Sequence, residues 1–90
     1  MGKVEKVLKK WGTKPTEVSR DEVVNILKRF GFEFDFKKGS HIVVRHTKLI
    51  NQANFGALGE FTVPTKKGRT VKGFYLKEIL VAISIVKGDE

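Results

Sequence analysis

The sequence predicts an α+β fold: a three-stranded antiparallel sheet with helices on one face, in the order α-β-β-β-α, with an extra N-terminal helix in front. Three features of the 90-residue chain lead there. A strongly capped amphipathic helix begins at Ser19. At Phe32 the apolar period changes from 3.6 to 2, the change expected where a helix gives way to half-buried strands. A second helical stripe, Leu76, Ile79, Leu80, Ile83 and Val86, follows near the end of the sequence. Two helices are what a three-stranded sheet needs to cover one face. The expected organisation is one domain over residues 1–90, with 1–18 as a helical extension and 19–86 as the core. That length suits one core of modest size.

Taken in order, residues 3–11 place Val4, Val7, Leu8 and Trp11 at i, i+3, i+4, i+7 spacing, which predicts a short helix stopped at Gly12. Such a helix is marginal alone, so Trp11 is expected to dock it on the body. Thr13-Lys14-Pro15-Thr16 reads as a turn. Ser19-Arg20-Asp21-Glu22 is a capping box, in which the Ser19 hydroxyl accepts from the Glu22 N–H and the Glu22 carboxylate reaches back; Val18 and Val23 take the flanking staple positions. Val23, Val24, Ile26, Leu27 and Phe30 form the buried face, and Gly31 supplies the left-handed residue that ends the helix. Phe32, Phe34 and Phe36 then alternate with Glu33, Asp35 and Lys37. Exposed sheet aromatics can stack nucleobases, but alternation beneath a covering helix favours core packing for all three.

Lys37-Lys38-Gly39-Ser40 reads as a hairpin turn with Gly39 at positive φ, and His41 to His46 as the next strand. Residues 47–58 read as a long loop with Leu49, Ile50 and Phe55 packing back. A third strand, Glu60 to Val63, buries Phe61 and Val63 and ends at Pro64. Residues 65–73 read as a basic loop. The last helix, about Phe74 to Val86, is apolar on more than one face. Its surplus of Tyr75, Val81, Ala82 and Ile85 predicts contact with the first helix or with another chain, a second copy included.

The net charge is +8, and it is concentrated: residues 37–77 hold +8, residues 1–36 hold +2 and residues 78–90 hold −2. A basic middle between near-neutral ends is the footprint of a surface that meets phosphates. The absence of cysteine excludes disulfides, thiolate metal sites and thiol nucleophiles. Two histidines and ten acids show no metal-ligand spacing, so neither a metal nor another cofactor is expected. The apolar run from Ile79 to Val86 is far short of a membrane span. Met1 to Lys10 lacks the apolar core of a signal peptide, and a cytoplasmic protein is the expectation.

The candidate site is the start of the second strand. If Ile42 and Val44 join the core, strand alternation puts His41, Val43 and Arg45 on the open face and sends His46 to the other. His46 therefore reads as structural or rim-facing, and it pairs with His41 as acid and base only if a bulge intervenes.

From about Ser19 to Val86 the chain resembles the HicA toxin family of YcfA-like mRNA interferases. The resemblance rests on Lys28-Arg29-Phe30-Gly31-Phe32-Glu33, Lys38-Gly39-Ser40-His41 and Arg45-His46, then Thr62-Val63-Pro64, then Lys72-Gly73-Phe74-Tyr75-Leu76-Lys77-Glu78-Ile79-Leu80. It implies a double-stranded-RNA-binding-like fold, cleavage of mRNA by a small toxin whose Gly-Ser-His histidine is essential, here His41, and a HicB-like antitoxin that covers the site. Many members carry a further histidine shortly after the Val-Pro pair, where this chain has Thr65 and Lys66. The helix over residues 3–11 lies outside the minimal family pattern.

The chemistry of the residues fits that resemblance. RNA carries its own nucleophile, the 2′-hydroxyl. An enzyme must take its proton, align the attack and stabilise charge on the phosphate. Histidine, with an unperturbed pKa of about 6.5, suits the proton transfer. Cations suit the charge, and Lys37, Lys38, Arg45, Lys66, Lys67, Arg69 and Lys72 are the phosphate-binding candidates, with Ser40 beside the histidine. The acid for the leaving oxygen is left open between Lys66, Tyr75 and water. Two other readings share the fold and the charge: a non-catalytic RNA-binding module, and a decayed toxin that retains only antitoxin binding.

Overall fold

Trp11 is the residue on which the front of the chain closes. The computed structural model describes residues 2–37, 40–52 and 55–88. In chain order these form α1 (Gly2–Gly12), β1 (Glu17–Ser19), α2 (Arg20–Arg29), β2 (Glu33–Lys37), β3 (His41–Arg45), a 3-10 turn (Thr47–Leu49), β4 (Glu60–Pro64), β5 (Thr70–Lys72) and α3 (Gly73–Lys87). The Trp11 side chain is buried, and its indole N–H donates to the Glu22 carboxylate of α2 at 2.8 Å. The extension is thus tied to the body by the residue expected to dock it. Lys38 and Gly39 of the expected hairpin turn, and Asn54 of the loop, lie outside the described residues.

The α2 helix starts and stops as its sequence dictates. Ser19 Oγ accepts from the Glu22 N–H at 3.0 Å, and Val18 and Val23 are both buried around that cap. At the other end Gly31 sits at φ +82°, with its N–H on the Lys28 carbonyl and the Phe32 N–H on the Leu27 carbonyl. That is the Schellman pattern of a left-handed glycine stop. The capping box itself is only half made. The Glu22 carboxylate does not reach back to Ser19 but turns outward to Trp11 and to Lys10 Nζ, at 3.1 Å. A buried indole donor that would otherwise lack a partner is a stronger claim on a carboxylate than a solvent-accessible cap N–H.

The main sheet has the order β2-β3-β4, antiparallel throughout. On its inner face the rows are Phe34–Val44–Phe61 and Phe36–Ile42–Val63. One cluster of buried side chains joins this face to Trp11 of α1, Val23 and Leu27 of α2, and Leu76, Ile79 and Ile83 of α3. The helices therefore cover one side of the sheet, an α+β arrangement of the double-stranded-RNA-binding type. The surplus apolar surface of α3 is partly met by α1, whose Val4, Val7 and Leu8 pack against the same cluster, and by Leu49 of the 3-10 turn. Phe74 and Val81 remain exposed.

Four further expectations change. Residues 65–73 are not all loop: Thr70–Lys72 pairs antiparallel with Glu17–Ser19, with Val18 opposite Val71 and both buried. Each strand has three residues, too few for an alternation to be visible in sequence. Pro64 lies within β4 rather than beyond it; β4 is an outer strand, where a residue without an N–H is tolerated. Ile50 is exposed, while Leu49 and Phe55 pack inward as expected. Phe36 is 54% exposed, so of the three phenylalanines only Phe32 is buried and Phe34 half-buried. Phe36 lies on an outer strand, at the margin of the face the helices cover.

Gly73 is where the chain crosses itself. A Cβ there would lie 1.8 Å from the Pro15 carbonyl oxygen, and the Gly73 N–H donates to the Thr16 carbonyl at 2.7 Å. Only glycine lets the linker after α1 pass this close to the start of α3.

Candidate functional site

Strand parity decides what stands on the open face of the sheet. Its rows are Lys37–His41–Pro64, Asp35–Val43–Thr62 and Glu33–Arg45–Glu60. His41 is exposed and opens β3, with Lys37 directly across the ladder on the same face. Its Nδ1 lies 3.3 Å from Ser40 Oγ, leaving Nε2 free of protein partners among the described residues. The Ser40 carbonyl is held twice by Thr65, from the backbone N–H at 2.7 Å and from Oγ1 at 2.8 Å. This clamp fixes the chain just before His41 and brings the following basic turn alongside it.

That turn is tight. Lys67 and Gly68 both take positive φ, and the Lys66 N–H donates to the Thr70 carbonyl at 2.7 Å. The closure presents Lys66, Lys67 and Arg69 as exposed cations. Lys37, Ser40, His41, Lys66, Lys67 and Arg69 thus gather at one end of the sheet, while Lys38 lies outside the described residues. Lys72 belongs to the smaller sheet, across from Glu17. The Thr65 clamp was not legible beforehand, because the paired hydrogen bonds to Ser40 follow from the β3–β4 register and not from any local motif.

Arg45 shares the face but not the neighbourhood. Four residues along a strand separate it from His41, about 13 Å. Its guanidinium donates to Asp35 at 2.7 Å and lies 3.7 Å from Glu60. The hydrogen bond from Arg45, followed by its charge, holds the Asp35 carboxyl below its ordinary range, and the Asp35 hydrogen bond likewise raises Arg45. Arg45 is therefore matched by carboxylates, whereas the cations near His41 have no ion pair among the described residues.

His46 faces the other way, as parity requires. Its ring packs edge-on to Phe32 with centroids 5.1 Å apart, and its Nδ1 accepts from the Lys48 N–H at 3.0 Å, capping the 3-10 turn. It serves as a cap and a packing contact and lies outside the His41 cluster. Among the described residues no group of three or more histidines and acids is placed to hold a metal, and no helix is long and apolar enough to cross a membrane.

The fold and this surface define a class: a small basic protein of double-stranded-RNA-binding-like topology, with one exposed histidine among cations. The family model described as HicA toxin of bacterial toxin-antitoxin matches residues 20–85, well over half of the chain. The chain belongs to the HicA toxin family and is the toxin member of a toxin–antitoxin system. The match begins at the first residue of α2, leaving α1 and β1 outside it. No curated protein and no solved structure matches the chain at a significant level.

Proposed function

We propose that the protein is a metal-independent endoribonuclease acting on mRNA, with His41 as its proton-transfer group. The observation that carries this reading is the placement of His41: exposed, on the open face, beside Lys37, and joined through the Ser40–Thr65 clamp to a turn bearing Lys66, Lys67 and Arg69. As general base, His41 Nε2 takes the proton of the 2′-hydroxyl. The 2′-oxygen bonds to phosphorus, the P–O5′ bond breaks, and the products are a 2′,3′-cyclic phosphate and a 5′-hydroxyl. The cations offset the charge that builds on the phosphate oxygens. With His46 on the other face and Tyr75 on α3, packed against the core on that same side, the leaving oxygen takes its proton from Lys66 or water. Ser40, bonded to His41 Nδ1, orients the ring.

The test is purified protein on RNA in EDTA. Cleavage should persist, and His41→Ala should lower the rate about 10²- to 10⁴-fold, the usual share of a general base. An RNA carrying 2′-deoxy sugars should resist cleavage. Equal rates for the wild-type protein and His41→Ala would remove His41 from the mechanism. We further propose that the cognate antitoxin is a HicB-like protein, acidic and partly apolar, that covers His41 in the cytoplasm. Its co-expression should relieve growth arrest and, in vitro, stop cleavage.

A further inference from the structure

We propose that Phe36, with Arg20 beside it, is a stacking site for an unpaired RNA base next to the phosphate handled at His41. The proposal rests on the ribonuclease reading above and adds a recognition subsite to it. Phe36 is 54% exposed and stands outside the core cluster, to which its strand neighbours Phe32 and Phe34 do belong or pack. Its ring is held flat against Phe34, at an interplanar angle of 8° with centroids 6.3 Å apart. The guanidinium of Arg20 lies 5.2 Å from the ring centroid. Arg20 has only a long 3.6 Å contact to Asp21, whose side chain is 84% exposed, so its charge is weakly matched. An oriented aromatic ring with an arginine guanidinium lying over it offers a base two planar surfaces to stack on, the kind of combination that takes up splayed-out bases in single-stranded RNA.

Position links this pair to the catalytic end of the sheet. Phe36 is paired with Ile42, one step from the Lys37–His41 row. Strand geometry puts the two backbone positions, Phe36 and His41, about 6 Å apart. Phe36 points to the inner face and His41 to the open face, so an RNA strand would cross the outer edge of β2 between them. The Arg20 N–H donates to the Arg69 carbonyl at 2.8 Å, which fixes the basic turn against the start of α2. The turn is thus tied at one end to Arg20, beside Phe36, and at the other, through Thr65, to Ser40 beside His41.

The test uses a short single-stranded 2′-O-methyl RNA, which lacks the attacking hydroxyl, and measures binding by wild-type protein, Phe36→Leu and Phe36→Tyr across a salt series. Leucine keeps the apolar bulk at an exposed position, and thermal melting checks that the fold is kept. Phe36→Leu should bind about tenfold more weakly and Phe36→Tyr like wild type. The slope of log affinity against log salt should be the same for all three, because a ring neutralises no phosphate. A 2-aminopurine base in the RNA should be quenched by wild type and less so by Phe36→Leu. Equal affinities for wild type and Phe36→Leu would overturn the base site while leaving the ribonuclease reading intact, provided wild type still cleaves unmodified RNA. A changed slope in Phe36→Leu would also overturn it, since the loss would then be one of charge. If the wild-type protein binds no RNA at all, both readings fall.

Discussion

Arg45 and His41 were placed on one face by parity alone, and there their resemblance ends. Parity reads which side a residue faces; it does not read what stands across the ladder. The partners Asp35 and Glu60 became apparent only with the register. The Asp35–Arg45 pair makes a prediction about acid stability. The Asp35 carboxyl is held below its ordinary 3.8 by the Arg45 hydrogen bond first and its charge second. A depressed carboxylate contributes stability that is present above its unfolded value and lost as pH falls through the folded value. The difference in melting temperature between wild type and Asp35→Asn should therefore be constant from pH 7 to about pH 5. It should shrink toward zero as the pH falls below 3.8. Thermal melts at stepped pH decide this: a difference that does not change with pH would mean the pair contributes nothing through its charge.

At the scale of elements, long periodic segments were legible and short ones were not. The capped start and glycine stop of α2, the alternations of β2 to β4 and the stripe of α3 each carry several residues of repeated pattern. The β1–β5 pair carries one buried residue per strand, so its sequence holds no period to read, and Val18 and Val71 find each other only through the fold. Phe36 shows the converse failure: its alternation was real, but alternation fixes a face and not how far the cover extends along it. Glu22 joins two elements and carries a testable cost. Glu22→Ala leaves the buried Trp11 N–H without its acceptor and should destabilise by about 1–3 kcal/mol, with a red shift of tryptophan emission. Lys10→Ala, which removes only an exposed ion pair to the same carboxylate, should cost less than about 1 kcal/mol. Gly73→Ala should cost about 1–3 kcal/mol through the clash with Pro15. Chemical denaturation of the three variants ranks them, and a Glu22→Ala no worse than Lys10→Ala would mean that α1 is held by packing alone.

Over the whole molecule, the +8 charge is sorted by partner. The carboxylates that pair take Arg45, Lys10 and Arg20; Lys37, Lys66, Lys67 and Arg69, at the end of the sheet that holds His41, are in none of these pairs, and on the proposed reading they are the ones that meet phosphates. The consequence is a definite salt dependence. For a single strand, each phosphate neutralised contributes about −0.7 to the slope of log affinity against log salt. The four cations around His41 should give a slope of about −3, steeper if Lys38 joins them. Lys66→Ala and Lys67→Ala should each flatten it by about 0.7. Arg45→Gln should leave it unchanged, because the Arg45 charge is already matched by Asp35 and Glu60 on the same face. Titration of a 2′-O-methyl RNA at salt concentrations between about 50 and 200 mM, over which even a few phosphate contacts alter affinity severalfold, reads all three variants and the wild type on one scale. If Arg45→Gln flattened the slope as much as Lys66→Ala, the phosphates would run along the full length of the open face. An unchanged slope confines them to the end of the sheet where His41 stands.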